Sequence, residues 1–138
     1  MADTGYNWGA WAAMQKGAAD WTADALADSG TETGDATSLD GKAACLVSVA
    51  LAEDNTGAID GVVTVYVLGD CDGTNYEETG NGSPWSFTIT PVQNDTVYKV
   101  FAVDPAYYDD VKIAVENEAG QELAVTVKYK TATIPVAS

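Results

Sequence analysis

The sequence predicts an all-β protein: an antiparallel β-sandwich of the jelly-roll type, preceded by an extended N-terminal arm. Three observations predict it. From Ala43 onward apolar residues recur with a period of two. Connections rich in Gly, Asp, Asn and Pro separate these runs at 28–42, 53–61, 69–84, 91–96, 104–110 and 117–122. No helical pattern follows residue 40, and short strands spaced this regularly belong to sandwiches and jelly rolls.

In chain order, residues 1–18 come first and form the arm, with the sandwich domain assigned to 19–138. The arm is rich in Gly and Ala yet holds Tyr6, Trp8, Trp11 and Met14. Termini of such composition fray unless something holds them. It is therefore expected to dock on its own domain or on a neighbour, and its removal is expected to leave the body folded. Residues 20–27 read as an early strand with Trp21, Ala23, Ala25 and Ala27 on one face. Trp8, Trp11, Ala18, Trp21 and Ala25 also fit helical spacings, but Gly9 and Gly17 would cost that helix about 1 kcal/mol each relative to Ala.

Three later runs are one-sided. Trp85, Phe87 and Ile89 alternate with Ser86, Thr88 and Thr90. Val111, Ile113 and Val115 alternate with Lys112, Ala114 and Glu116. Leu123, Val125, Val127 and Tyr129 alternate with Ala124, Thr126, Lys128 and Lys130. Three other runs are apolar on both faces. In 43–52, Cys45, Val47, Val49 and Leu51 oppose Ala44, Leu46 and Ala50. In 62–68, Val63, Val65 and Val67 oppose Val62, Thr64, Tyr66 and Leu68. In 97–103, Val97, Phe101 and Val103 oppose Tyr98, Val100 and Ala102, with Lys99 interrupting. A two-faced apolar strand is either covered on both sides or carries an interface.

Charge narrows the functions. Among 138 residues there are six Lys, no Arg, no His and 21 acids, so the net charge is −15. The acids are spread along the whole chain, and the folded body itself is expected to be acidic. Nucleic-acid affinity rests on Lys and Arg neutralising phosphate, so neither nucleic acid nor an anionic membrane is an expected partner. Without His the commonest general base and metal ligand are missing. The two cysteines, Cys45 and Cys71, have neither zinc spacing nor the density of a disulfide framework. The N-terminus does not read as a signal peptide, and the expectation is a protein made in a reducing compartment.

The most polar feature is the loop GDCDGTNYEETGNG at 69–82. Asp70, Asp72, Asn75, Glu77 and Glu78 offer hard oxygens and Gly73 permits a sharp turn, which points to calcium. The register of a helical calcium loop fails, however, because with Gly73 at the turn position the first ligand position is Leu68. An acidic hairpin loop is the simpler reading, and no metal or cofactor is assigned. Adjacent carboxylates such as Asp109–Asp110 arise readily among 21 acids, and neighbours on a strand point to opposite faces. No catalytic residues are assigned. Phe101, Phe87, Trp85 and Tyr129 are expected in the core. At least one of Tyr107 and Tyr108 is expected at the surface. Trp8, Trp11 and Trp21 precede the β body, whose core cannot easily absorb all three, and large aromatics outside a core mark contact surfaces.

The run beginning DWTADALADSG at residue 20, the hairpin VYVLGDCDGTNYEE, the strand SPWSFTIT and the terminal VTVKYKTATIP together resemble the small capsid decoration, or cement, proteins of tailed bacteriophages. The likeness is closest to the jelly-roll cement proteins of short-tailed phages and spans roughly residues 20–135. It implies a non-enzymatic virion protein, made in the host cytoplasm. Such a protein binds the outer face of the capsid, bridges neighbouring major capsid protein subunits and associates with copies of itself as a dimer or trimer. The expected contact residues, which the family does not supply, are Tyr6, Trp8, Trp11, Met14 and Trp21, followed by Ile134, Pro135 and Val136. The alternative is a carbohydrate-binding jelly-roll module with calcium at 69–82 and exposed Trp or Tyr stacking on sugar rings. A hydrolase with unpaired carboxylates ranks third.

Overall fold

The structure, a computed structural model, describes residues 5–53, 57–79 and 85–134. Among these residues it is all β, with antiparallel sheets and no helix. Six long strands follow the predicted runs: β8 (Ala44–Ala52), β9 (Val63–Gly69), β10 (Ser86–Ile89), β11 (Thr96–Ala102), β12 (Asp110–Asn117) and β13 (Leu123–Thr133). Before them come seven short pieces. These are β1 (Asn7–Trp8), β2 (Ala12–Ala13), β3 (Gln15–Lys16), β4 (Ala19–Asp20), β5 (Asp24–Leu26), β6 (Thr31–Thr33) and β7 (Thr37–Ser38).

Two sheets face each other as a sandwich. In the first, β13 and β8 are central, β11 forms one edge, and β1, β2 and β5 succeed one another along the other. In the second, β9 and β12 are central, β10 forms one edge, and β6 and β7 share the other. The inward residues Val47, Val49, Leu51, Val125 and Val127 of the first sheet meet Val63, Val65, Val67, Ile113 and Val115 of the second in one core. Full burial of each such side chain contributes about 1.5–3 kcal/mol. In β12 and β13 these faces are the ones the period-two pattern set apart as apolar, whereas the runs of β8 and β9 are apolar on both faces and left the choice open.

The two seams between the sheets are closed differently. On the N-terminal side, residues 15–20 leave the edge of the first sheet as a small hairpin, β3 paired with β4. Met14 N–H donates to Val127 C=O at 2.9 Å, and Val127 N–H donates to Trp21 C=O at 3.0 Å. Both bulky side chains thereby land opposite one inward residue, and both are fully buried. Met14 and Trp21 were expected as anchors for a partner; they are instead core residues, because the looped-out hairpin turns both toward the interior. Trp21 lies so close to Gly34 that a Cβ there would meet its ring at 2.9 Å. The strand expected at 20–27 shrinks to β5, where Leu26 rather than Ala25 turns inward.

Across the same seam the Lys16 ammonium joins Asp24 of β5 to Glu32 of β6. The hairpin turn, Gly17-Ala18, has positive φ at both residues, 59° and 62°. That is the backbone of a tight type I′ turn. The Asp35 carboxylate accepts Gly17 N–H at 3.0 Å and Ala18 N–H at 2.8 Å.

The opposite seam, between β10 and β11, is filled by aromatic rings. Phe87 and Phe101 pack edge to face with centroids 4.8 Å apart, and Trp85 lies 5.6 Å from Phe87 and 5.7 Å from Phe101. Trp85, expected in the core, keeps 40% of its surface exposed. It precedes β10 at the sheet edge, where the seam opens to solvent.

Candidate interaction surface

The residues that the first sheet turns outward form a surface unlike the rest of the molecule. β8 contributes Ala44, Leu46, Ser48, Ala50 and Ala52, all half-buried. In register beside them, β11 presents Tyr98, Val100 and Ala102, and β13 presents Thr126, Lys128 and Lys130. No Asp or Glu lies at any of these outward positions, in a chain with 21 acids. Tyr98 and Val100 are 71% and 51% exposed. The second apolar face of the runs 43–52 and 97–103 is thus left open by the described residues.

The arm extends this surface. Trp8 pairs with Ala132 and Ala12 with Tyr129, so four steps along the arm span three along β13. One extra residue in a strand reverses the alternation beyond it. Trp8 and Trp11, which a regular strand would send to opposite faces, therefore share the outer one. The Lys130 ammonium sits 5.1 Å from the Trp8 ring centre and 5.0 Å from that of Trp11. Such cation–π contacts are worth about 0.5–1 kcal/mol each at exposed sites. Trp11 also lines a shallow groove with Ala50, Tyr98, Thr126 and Lys128. Tyr6 packs edge to face on Trp8, with centroids 6.2 Å apart.

Of the predicted contact residues, Tyr6, Trp8 and Trp11 gather on this face and remain partly exposed. Ile134 is exposed just past the end of β13, whereas Pro135 and Val136 lie outside the described residues. Tyr98, Val100, Leu46, Lys128 and Lys130 were not singled out from the sequence as contact residues. Their signal was present in the two-faced apolar runs, but only the strand order shows that those runs are neighbours.

The outer face of the second sheet is polar by comparison. Thr64 and Tyr66 of β9, Lys112 and Glu116 of β12 and Thr88 of β10 point outward. Tyr66 donates its hydroxyl to Glu116 at 3.2 Å, and Lys112 stands 4.3 Å above the Tyr76 ring centre.

The acidic loop after β9 turns its oxygens on itself. Asp70 accepts the N–H groups of Asp72 and Gly73, and Asp72 accepts those of Thr74 and Asn75. Glu77 accepts Gly69 N–H at 2.8 Å. These bonds hold the Asp72 carboxyl below its ordinary pKa, the Asn75 N–H being the largest cause. Among the described residues no group of three or more Asp, Glu, Cys or His side chains is arranged to hold a metal ion. Cys45 is buried in β8 and Cys71 exposed in the loop, both as free thiols. No family model matches this chain, and no curated protein matches it.

Proposed function

We propose that this chain is a non-catalytic structural protein that attaches through the outer face of its first sheet to a protein lattice. We take that lattice to be the exterior of a phage capsid, as the resemblance implies. The observation that carries the reading is the acid-free apolar face on a molecule of net charge −15. Elsewhere, mutual repulsion keeps copies soluble before assembly. Here apolar contact area is offered with no Asp or Glu at the outward positions of β8, β11 and β13, so little carboxylate need be desolvated. Many modest contacts repeated over a lattice hold firmly through multivalency.

We also read the winding as a jelly roll. Taking β1, β2 and β5 as the first lane and β6 and β7 as the second, the eight lanes pair first with last, second with seventh, third with sixth and fourth with fifth. That is a long hairpin folded over and wrapped, the architecture used by viral capsid and lectin domains.

The test is co-sedimentation with empty shells of a short-tailed phage. Wild type should bind and raise their heat resistance; Leu46→Asp and Tyr98→Asp should lose occupancy while remaining folded. Unchanged occupancy of both variants would remove this face from the mechanism. A sugar-binding reading draws on Trp11 and Tyr98 lining one groove, since exposed aromatic rings can stack on sugars. It predicts oligosaccharide binding that is lost in Trp11→Ala, with no attachment to shells.

A further inference from the structure

The four outer edges of the sandwich are not alike. Two are broken into pieces of two or three residues, β1, β2 and β5 along β13 and β6 and β7 along β12, and β10 has four residues. β11 runs unbroken for seven residues, and among the described residues it pairs with β8 alone. The ladder's phase is fixed at both ends: Val103 N–H donates to Cys45 C=O and Glu53 N–H to Asp95 C=O, each at 3.0 Å. Odd-numbered residues of this stretch therefore bond to β8, and the even-numbered ones direct N–H and C=O away from it. Asp95's carboxylate takes the Thr96 N–H at 2.7 Å. The outward-facing backbone of Tyr98, Val100 and Ala102 remains as an open template.

We propose that β11 pairs antiparallel with β11 of a second copy, about a two-fold axis at Val100. Length selects this edge for self-pairing, and charge permits it. No carboxylate occurs between Thr96 and Ala102, so two copies of a strongly acidic molecule can meet there without opposing acids. Charge also selects the register. An axis at Lys99 would set two ammonium groups directly opposite, which destabilises a strand pair. With the axis at Val100, Lys99 faces the second copy's Phe101 and the large Tyr98 faces the second copy's small Ala102. The seam then forms about six backbone hydrogen bonds. It also joins two acid-free faces into one surface, which would double the contact area if the attachment proposed above is correct. The pairing itself does not depend on that attachment.

Sedimentation equilibrium of the full chain tests the pairing, with cysteine cross-linking to fix its register. Wild type should be dimeric at about 100 µM. Val100→Pro, which removes an N–H that β8 does not use, should weaken the dimer roughly tenfold or more. In a Cys71→Ser background, Val100→Cys should oxidise to a covalent dimer, since facing Cα atoms lie roughly 5.5 Å apart. Tyr98→Cys should not, its counterpart being about 13 Å along the strand. A monomeric wild type, or cross-linking at 98 without cross-linking at 100, overturns the proposal. The cross-links decide the matter if the proline variant fails to fold.

Discussion

Asn117, buried at the end of β12, shows how much one side chain can organise. Its amide donates to Leu26 C=O at 3.0 Å and to Gln121 C=O at 2.7 Å, and its carbonyl accepts Ala119 N–H at 2.9 Å. Asn117→Ala strands three backbone partners, two of them buried, so chemical denaturation should show a loss of about 2–4 kcal/mol. Ionisation obeys the same local logic. Lys16 holds Asp24 below the ordinary carboxyl pKa, and the Ala18 and Gly17 N–H groups do so for Asp35. A carboxyl whose pKa is lower folded than unfolded stabilises the fold above its unfolded value, and that help is lost as pH falls through the folded one. That help should therefore disappear below about pH 4, so the difference in melting temperature between wild type and Asp35→Asn should narrow there; an unchanged difference would show these bonds to be energetically idle. Burial pushes the Cys45 thiol up to about 11, whereas Cys71 is exposed. Native protein at pH 8 should titrate one thiol with Ellman's reagent and release the second only on denaturation.

At the scale of elements, the looped-out hairpin decides what the N-terminus contributes. It seats Met14 and Trp21 in the core, so Trp21→Ala should cost about 3–5 kcal/mol while Trp11→Ala, at the surface, should cost under about 1. Deleting residues 1–18 would uncover the β13 edge and remove Met14. The truncated chain should aggregate or melt well below the full one, contrary to what the composition of the segment led us to expect. The reason lies in where the information sits. Strands β8 to β13 were legible because each is long enough to show its alternation, and the apolar faces read at Ile113 and Val127 are those found inward, while the two-faced runs of Val47 and Val65 left the choice to the fold. The pieces between Asn7 and Ser38 were not legible, because two or three residues display no period. Apart from β3 and β4, which pair with each other, they become strands only because β12 and β13 supply partners more than seventy residues away. The candidate face was half legible: Tyr6, Trp8 and Trp11 stood out as aromatic. The inserted residue that turns Trp8 and Trp11 to the same side leaves no trace in composition, and neither does the adjacency of Tyr98 to Ala50.

For the whole molecule the governing quantity is charge: 21 acids against six lysines. One of those lysines, Lys16, is committed to the seam between the sheets, and Lys128 and Lys130 stand on the acid-free face. Repulsion among the remaining carboxylates opposes the compact state and is screened by salt, over about 10 Å at 0.1 M. Salt also weakens the Lys16 pairs, which acts in the opposite direction. The carboxylates far outnumber those two half-buried pairs. The melting temperature should therefore rise as sodium chloride increases from about 10 mM to 0.5 M. Association through the first sheet should survive the same increase, because its contacts are apolar and the long-range repulsion between like-charged partners is what salt removes. Lys128→Glu would bring a carboxylate onto that face with little effect on folding, and its association should weaken most at low salt and recover as salt is added. A melting temperature that falls with salt would mean that Lys16 and its partners outweigh the self-repulsion, and the acidic surface would then need a role other than keeping copies apart.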